Sequence, residues 1–297
     1  MLHKIDVFEC PTNLGLRKKT HSSEPGVKSM PYWLATHNLY DKLNINHICS
    51  LSSPTYSFYY DSNKKILNEL QVIEFAQKQA NTLHKHWDNE HFKLIIGGDC
   101  SVLIGTALNL KRRGNFGLFF LDGHTDFITS NISKTGGIAG MDLAIATGHG
   151  DKSLTNMWNL KPYFTEAHVF CVGNRELDTE YVAPILKSNI NYFDLNTLRS
   201  RGTRQISEDF LHTIEAQSLD GFLIHFDVDV INDTLMPAVD SRNPDGLYYQ
   251  ELHELLHPLI HHELCVGMEI TILDPSLDTT GKITQKFIAF LTNLINI

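Results

Sequence analysis

Short apolar runs that alternate with longer helical stretches are the feature that most constrains the fold of this chain. The runs are rich in β-branched and aromatic residues and have the length of buried strands. They are residues 3–8, 45–50, 93–96, 117–121, 167–172, 190–193, 222–227 and 264–270. Since strands that alternate with helices need crossover connections, the pattern predicts an α/β fold with an eight-stranded, mostly parallel sheet covered by helices on both faces.

Helical spacing is clearest between Ile66 and Leu83, where apolar residues recur every three to four positions. Similar spacing predicts further helices at residues 100–110, 208–214, 250–260 and 287–294. Residues 10–30 have no such pattern and contain two prolines and two glycines, which predicts a surface loop. No internal repeat or long linker divides the sequence, so a single domain over residues 1–297 is expected.

The composition excludes several classes of protein. Twenty-five basic and 34 acidic residues give a formal net charge of −9, which argues against nucleic acid as the main partner. No stretch approaches the roughly 18 apolar residues of a membrane span, and the first residues lack the apolar core of a signal peptide. The five cysteines form no Cys-x-x-Cys pair, so we expect reduced thiols and a cytoplasmic protein rather than a disulfide scaffold.

Polar side chains follow two of the predicted strands directly. Asp122, His124 and Asp126 come after one strand, and Asp227 and Asp229 come after another. Residues two apart in an extended segment point the same way, and ligands bind at the carboxyl ends of parallel strands. Each aspartate alone could simply cap a turn, but together these carboxylates would repel one another without a cation. Oxygen-rich surroundings with one imidazole suit Mn²⁺ or Mg²⁺, with Fe²⁺, Co²⁺ and Zn²⁺ as alternatives.

At these residues the chain resembles the ureohydrolase family, which includes arginases and agmatinases. The family motifs are G-G-D-H-S, D-A-H-x-D, S/F-D-x-D, a P-A/G stretch and a late E-x-N/T segment. Their counterparts in this chain are residues 97–101, 122–126, 226–229, 237–240 and 268–271. The resemblance implies a three-layer α/β/α sandwich and hydrolysis of a guanidino group to urea and an amine. It also implies two Mn²⁺ ions that share a bridging hydroxide, and a homotrimer or homohexamer.

The resemblance also implies roles for individual residues. It implies six metal ligands, which are Cys100, Asp122, His124, Asp126, Asp227 and Asp229. Asp122 and Asp227 correspond to carboxylates that bridge the two ions, and Cys100 and Asp126 to ligands of the same ion. Asp126 is further expected to carry a proton from the attacking water to the leaving amine. Glu269, at the end of the last predicted strand, is expected to hold the guanidinium by charge-assisted hydrogen bonds.

The first metal ligand departs from the family motif, because Cys100 stands where the family has histidine. A thiolate can bind a divalent ion, but it is softer than imidazole and less suited to Mn²⁺. The alternative is a small buried cysteine beside an incomplete metal shell. Cys100, together with Gly123 in place of the motif's alanine, is similar to the cysteine-bearing branch that includes N-hydroxyarginine hydrolases.

The substrate loop departs further from arginases. In arginases a Ser-x-Asn pair contacts the amino-acid head group; residues 135–137 stand at this place, and Thr135 is the candidate contact among them. A separate arginase asparagine, two residues after the third ligand of the aspartate motif, is replaced by Ile128. The family's proton-shuttling histidine becomes Ala139, for which His149 is a candidate replacement.

The chain after strand 167–172 offers candidate contacts for the far end of a substrate. Asp178, with Glu180 as a second candidate, is expected to bind the substrate amine. Arg175 either meets a substrate carboxylate or pairs with a neighbouring glutamate. His225 is expected to be a packed core histidine that faces away from the site.

The sequence therefore predicts a metal-dependent hydrolase of arginine or a modified arginine, with N-hydroxyarginine as the sharpest candidate. A hydrolase of another amidine, such as agmatine, guanidinobutyrate or formiminoglutamate, is the alternative enzyme. A metal-binding family member without turnover stays open because of Cys100 and Ala139.

Overall fold

The computed structural model describes residues 4–17 and 24–296. The described residues contain ten strands, which are β1 (Ile5–Glu9), β2 (Ile45–Ser50), β3 (Tyr60–Asp61), β4 (Ile66–Leu67), β5 (Phe92–Ile96), β6 (Phe116–Leu121), β7 (Val169–Asn174), β8 (Asn191–Asp194), β9 (Gly221–Asp227) and β10 (Cys265–Thr271). Eight of them form one sheet in the order β2-β1-β5-β10-β9-β6-β7-β8, in which every pairing is parallel. The predicted eight-stranded parallel sheet is thus confirmed. Residue 3 of the first predicted strand and residues 18–23 of the predicted loop lie outside the described residues.

Helices connect these strands. They are α1 (Met30–Thr36), α2 (Glu69–His86), α3 (Val102–Lys111), α4 (Asp142–Ala146), α5 (Lys152–Thr155), α6 (Thr179–Ile185), α7 (Leu195–Arg201), α8 (Thr203–Ala216), α9 (Tyr249–Ile260) and α10 (Lys282–Asn296). Helix α2 begins later than the spacing predicts, because Ile66 and Leu67 pair with β3 and Asn68 turns the chain with a left-handed φ of 52°. None of the described helices is long and apolar enough to cross a membrane.

Two apolar cores lie on the two faces of the sheet. Alternate residues of β6 point in opposite directions, so that Phe119 joins one core and Phe120 the other. Helices α1 and α7 to α10 cover the first core, and α2 to α4 cover the second. This arrangement is the predicted three-layer α/β/α sandwich.

The four central strands bring distant parts of the sequence to one edge of the sheet. Strands β5, β10, β9 and β6 are neighbours, and Leu121 of β6 is paired with Phe226 of β9. The two aspartate motifs that follow these strands therefore leave the sheet side by side. The loop after β5 also passes close to the loop after β1, since a Cβ at Gly98 would lie 1.7 Å from the Thr12 carbonyl oxygen. Only glycine permits that approach.

Candidate metal centre

Asp122, His124 and Asp229 form a cluster that we call the outer cluster. One ligand atom from each residue lies within 4.8 Å of the others. His124 Nδ1 is 2.8 Å from Asp229 Oδ2 and 3.8 Å from Asp122 Oδ1. Asp122 is fully buried and its Oδ2 has no hydrogen-bond partner, although a buried carboxylate oxygen without one is costly. The side chain of His124 is 16% exposed, so this cluster reaches solvent.

Each aspartate motif holds its own shape through backbone contacts. Asp122 Oδ1 accepts a hydrogen bond from the His124 amide at 2.6 Å, and Asp227 Oδ1 accepts one from the Asp229 amide at 2.7 Å. The Gly123 amide donates to Asp229 Oδ1 at 3.0 Å, which ties the two motifs together. These short turns use one oxygen of each motif's first aspartate and leave Asp122 Oδ2 and Asp227 Oδ2 outside the backbone contacts.

Cys100 lies directly beside these carboxylates. Its Sγ is 2.9 Å from Asp227 Oδ2 and 3.2 Å from Thr271 Oγ1. Cys100, Asp122 and Asp227 also offer ligand atoms within 4.8 Å of one another. Asp99 holds the loop in place, since its carboxylate accepts the amides of Ser101 and Gly15.

Cys100 belongs to a further buried group, which we call the inner cluster and which consists of Cys100, Asp142 and His225. Their ligand atoms lie within 4.8 Å of one another, and each residue is at most 1% exposed. His225 Nδ1 lies 2.6 Å from Glu269 Oε1, and the ring stacks on Phe120 with centroids 4.6 Å apart. His225 is therefore a packed histidine as predicted, but it faces the site and not away from it.

The electrostatics of both clusters favour the binding of positive charge. Burial, followed by repulsion from neighbouring carboxylates, raises the pKa of Asp122, Asp126, Asp142 and Asp227 well above the usual range. Burial acts to lower the pKa of His124, but the carboxylates around it prevail and raise it to about 9. Burial likewise opposes ionisation of Asp229, yet His124 and Arg175 hold the pKa of Asp229 below its usual value.

These residues fit divalent cations. The donor set of carboxylate oxygens, imidazole and thiol contains only groups that bind metals, and Asp122 Oδ2 is buried without a partner. Cations would neutralise the carboxylate repulsion that raises these pKa values. The predicted ligands Cys100, Asp122, His124, Asp227 and Asp229 are thus brought together, while Asp126 is in none of the described clusters.

A cavity of about 470 Å³ opens above the clusters. Among the described residues its walls hold six acidic and three basic side chains, which are Asp126, Glu176, Asp178, Asp227, Asp229, Asp240, Arg17, His124 and Lys134. The excess of negative charge favours a cationic ligand, and guanidinium is such a cation.

Comparisons with known proteins agree with this geometry. The model of the arginase family matches residues 8–295. The chain belongs to the arginase family. Members of this family are metal-dependent hydrolases of carbon–nitrogen bonds in linear amidines.

Individual relatives resemble this arginase-family chain over nearly its whole length. The arginase of Staphylococcus aureus strain COL is 25% identical over 296 residues, which cover 97% of this chain and 95% of that protein. The native structure of Bacillus caldovelox arginase superimposes with a TM-score of 0.88 at 22% identity, covering 99% of each chain. Entamoeba histolytica arginase in complex with L-ornithine gives a TM-score of 0.86 at 21% identity, covering 100% of this chain and 99% of the other. These structures show that the fold is shared.

Glu269, which the sequence predicts as the guanidinium contact, is buried behind the cavity wall. Strand β10 continues past it to Thr271, so Glu269 lies inside the strand, is 0% exposed and does not line the cavity. Its Oε2 accepts a hydrogen bond from Thr106 Oγ1 at 2.7 Å, and its Oε1 faces His225. Ile272, with a φ of 76°, lines the cavity wall after β10 instead.

Two other predicted residues lie away from the cavity. His149 is 47% exposed, its Nε2 is 2.5 Å from Glu166 Oε1, and its ring packs edge-on against Phe127. Glu180 is exposed in the first turn of α6 and does not line the cavity. The geometry therefore argues against His149 as the proton shuttle of this arginase-family site and against Glu180 as a substrate contact.

The remaining predicted residues do line the cavity. Asp126 is half-buried and takes a φ of 43°, a left-handed conformation that costs free energy for a residue other than glycine. Thr135 and Asp178 lie in the wall with Ala139. Asp178 is bound to Lys134 Nζ at 2.6 Å, and this contact with Lys134 lowers the pKa of Asp178.

Arg175 explains why this chain has glycine where the family motif has alanine. A Cβ at Gly123 would lie 2.4 Å from Arg175 Nη1 and 2.7 Å from Asp229 Oδ1. Arg175 Nη2 donates to the Asp229 carbonyl oxygen at 2.6 Å and to the Asn243 carbonyl oxygen at 3.3 Å. The arginine therefore braces the second aspartate motif, and neither sequence-based role for it is seen.

The sequence analysis did not predict Asp142, Glu176 or Asp240 as site residues, and it expected His225 to face away from the site. One available signal was the alternation of side chains along a strand, since His225 is two residues before Asp227 and must point the same way. Asp142 carried no comparable signal because it follows an irregular loop.

Proposed function

We propose that this arginase-family protein hydrolyses the guanidino group of arginine or a modified arginine to urea and an amine in a metal-dependent reaction. One observation carries the proposal: the outer cluster, built from Asp122, His124 and Asp229, opens into a cavity whose wall carries an excess of carboxylates. A site of this kind attracts a cationic guanidinium and holds it beside the metal ligands.

The proposed metal ligands are five of the six that the motifs indicate, because Asp126 lies in none of the described clusters. Asp122, His124 and Asp229, with Asp227, would hold one ion, and Cys100 would bind the other. Mn²⁺ is the proposed ion for the outer cluster because most of its donors are carboxylate oxygens. Two divalent ions held by these residues would lower the pKa of water bound between the side chains and would stabilise charge that develops on the substrate.

Protein side chains supply the remaining chemistry. Asp126 lines the cavity and is proposed to accept the proton of the attacking water and deliver it to the leaving amine. Glu176 and Asp240 line the same cavity and are proposed to pair with the guanidinium, in place of Glu269. A guanidinium resists attack because its charge is delocalised, so both charge pairing and proton delivery are needed.

The far end of the substrate would meet Thr135, Asp178 and Lys134. Asp178 and Lys134 form an ion pair at the cavity mouth. The carboxylate of Asp178 complements the ammonium group of an amino-acid substrate, and the ammonium of Lys134 complements its carboxylate. This feature favours an arginine-like substrate over agmatine, which has no carboxylate. N-hydroxyarginine is the sharpest candidate, since Cys100 is the feature shared with that branch.

The test is urea release by the Mn²⁺-loaded protein across arginine, N-hydroxyarginine, agmatine and guanidinobutyrate, with formiminoglutamate assayed for its own products. We expect turnover with arginine or N-hydroxyarginine to exceed that with agmatine. The Asp126→Asn variant is expected to keep its metal and lose at least about 100-fold in kcat, the size typical of general acid–base catalysis.

Two results would count against the proposal. Protein shown to contain two metal ions that releases no product from any of these substrates would argue for a metal-binding protein without turnover. Turnover restricted to agmatine or formiminoglutamate would instead assign another amidine as the substrate. Lys187→Gln, which changes an exposed lysine outside the cavity wall, serves as a surface-charge control.

A further inference from the structure

The inner cluster contains unused donor atoms in a fully buried place. Asp142 Oδ2 and His225 Nε2 are both buried and have no hydrogen-bond partner. Both side chains are 0% exposed, and their ligand atoms lie within 4.8 Å of each other and of Cys100. A buried polar atom without a partner calls for an explanation, and a bound ion is one of the standard ones.

The hydrogen bonds around His225 have the form found behind metal-binding histidines. Glu269 Oε1 lies 2.6 Å from His225 Nδ1, and Glu269 is itself fixed by Thr106 Oγ1 at 2.7 Å. A histidine that binds a metal through one nitrogen usually donates the other to a carboxylate, which fixes its tautomer and orientation. With Nδ1 engaged, Nε2 of His225 keeps a lone pair for an ion.

We propose that Cys100, Asp142 and His225 form a binding site for a borderline-soft divalent cation such as Zn²⁺, with Glu269 as the residue that orients His225. The ion bound by Cys100 would then also bind Asp142 and His225. Asp126 would bind no ion and would remain available for proton transfer. This inference rests on the proposed function only in taking the site to be metal-dependent.

The donor set favours Zn²⁺ over Mn²⁺. Thiolate, imidazole and one carboxylate are common zinc ligands, with bonds of about 2.3 Å to sulfur and about 2.0 Å to nitrogen. A fourth ligand is available nearby, because Cys100 also lies in a cluster with Asp122 and Asp227. The two halves of the centre therefore differ in the ion they prefer.

The first experiment titrates the metal-free, full-length protein with Co²⁺, a spectroscopic substitute for Zn²⁺. Co²⁺ bound to a thiolate gives an intense charge-transfer band in the near ultraviolet, which carboxylate or imidazole ligands do not give. We expect this band to saturate at one equivalent per chain and to disappear when Zn²⁺ displaces the Co²⁺.

Variants locate the site. Cys100→Ser is expected to abolish the band, while His225→Phe, which keeps a ring against Phe120, and Asp142→Asn weaken Co²⁺ binding at least about 10-fold. Cys171→Ser changes an equally buried cysteine outside the clusters and should leave the band intact. Asp126→Asn should change the Co²⁺ affinity less than about twofold.

Glu269→Gln tests the positioning role separately. The amide keeps the size of the side chain but accepts the hydrogen bond of His225 more weakly, so we expect the band to remain and the Kd to rise about 10–100-fold. A purely structural role would instead lower the melting temperature of the metal-free protein and leave the Kd unchanged.

X-ray absorption on wild-type protein with one equivalent of Zn²⁺ makes the test independent of any variant. We expect sulfur and imidazole nitrogen in the same coordination shell. Sulfur with oxygen ligands only, or a band weakened by Asp126→Asn and unaffected by His225→Phe, would overturn the inference. All these readouts concern bound metal, so a failure to release urea would contradict the proposed function and leave this inference standing.

Discussion

The outer and inner clusters are neighbours in one site but differ in nearly every physical property. The outer cluster of Asp122, His124 and Asp229 consists mostly of carboxylates and reaches solvent through His124. The inner cluster, with Asp142 and His225 beside Cys100, is sealed from solvent and offers one sulfur, one nitrogen and one carboxylate. The outer one retains the family motifs, whereas the inner one joins the motif position Cys100 to two residues outside the motifs.

This difference teaches that a substitution within a motif has to be judged together with its new neighbours. Cys100 alone suggests a weakened metal site, because thiolate suits Mn²⁺ poorly. With His225 oriented by Glu269 beside it, the same cysteine belongs to a donor set that suits another ion. The predictions that follow are designed to separate the two clusters or to show that they act as one.

The largest effect is expected from Asp122→Asn, because Asp122 belongs both to the outer cluster and to the group with Cys100 and Asp227. The amide still accepts the His124 backbone hydrogen bond but brings no charge. We expect metal content to fall and kcat/KM for urea release to drop by at least about 10³-fold. Asp209→Asn, a surface aspartate paired with Arg201, is the control and should retain both. Retained activity would show that the clusters do not share this carboxylate.

Cys100→His is expected to make the two clusters more alike. Thiolate favours Zn²⁺ over Mn²⁺ more strongly than imidazole does. The Kd for Mn²⁺ divided by the Kd for Zn²⁺ should therefore fall by about 10-fold in this variant. Competition titrations followed by metal analysis measure this ratio. Because the larger ring enters a buried position, the metal-free variant should also be less stable by about 1–3 kcal/mol. An unchanged ratio would mean that residue 100 does not bind metal.

The metal-free protein is expected to lose stability as the pH rises. The pKa values of Asp122, Asp126, Asp142 and Asp227 are raised in the folded state, so the native protein holds protons that the unfolded chain releases above about pH 4. His124, whose pKa rises to about 9, acts in the same direction above its ordinary value.

Thermal unfolding of the metal-free protein should therefore show a melting temperature that falls by about 5 °C or more between pH 5 and pH 8. The metal-loaded protein should show the opposite trend, because metal binding displaces protons from its ligands. Asp142→Asn should flatten the metal-free profile more than Asp178→Asn, since burial and neighbouring carboxylates raise the pKa of Asp142 while Lys134 lowers that of Asp178. Parallel profiles in the two variants would contradict the charge burial inferred for the inner cluster.

The smallest effect is expected at the cavity mouth, where Lys134→Gln removes the partner of Asp178. Lys134 is 68% exposed, so the expected change is limited to the roughly 2–5-fold typical of surface ion pairs. KM should rise for a substrate with a carboxylate and fall for agmatine, because the mouth becomes more negative. Changes in the same direction for both substrates would argue that Lys134 does not contact the head group.

Much of the fold was predictable from the sequence because strands and helices leave periodic patterns. The eight strands of the main sheet were each predicted to within a few residues, and the α/β sandwich follows from their alternation. The outer cluster was predictable for the same reason, since Asp122 and His124 follow one apolar strand and Asp229 follows another. The one-domain organisation, the oligomer and the individual metal ligands stay predictions.

Glu269 shows what a strand pattern leaves undecided. Its place near the end of the predicted strand 264–270 suggested a cavity contact, but in the structure Glu269 is buried within β10 against Thr106 and His225. A strand pattern places a residue near the end of a strand, but it does not show which side chains from distant parts of the chain pack over that residue.

The sequence alone determined the class of fold and the chemistry of the motif residues, because strand periodicity and the identity of donor atoms are local properties. Only the tertiary structure decided that Cys100 meets His225 and Asp142, since β5, β9 and α4 are far apart in the chain and adjacent only in the folded sheet. The same packing placed Glu269 behind His225 and Arg175 against Gly123. The ion preference of the inner half of the site follows from these contacts between distant residues, which no local pattern records.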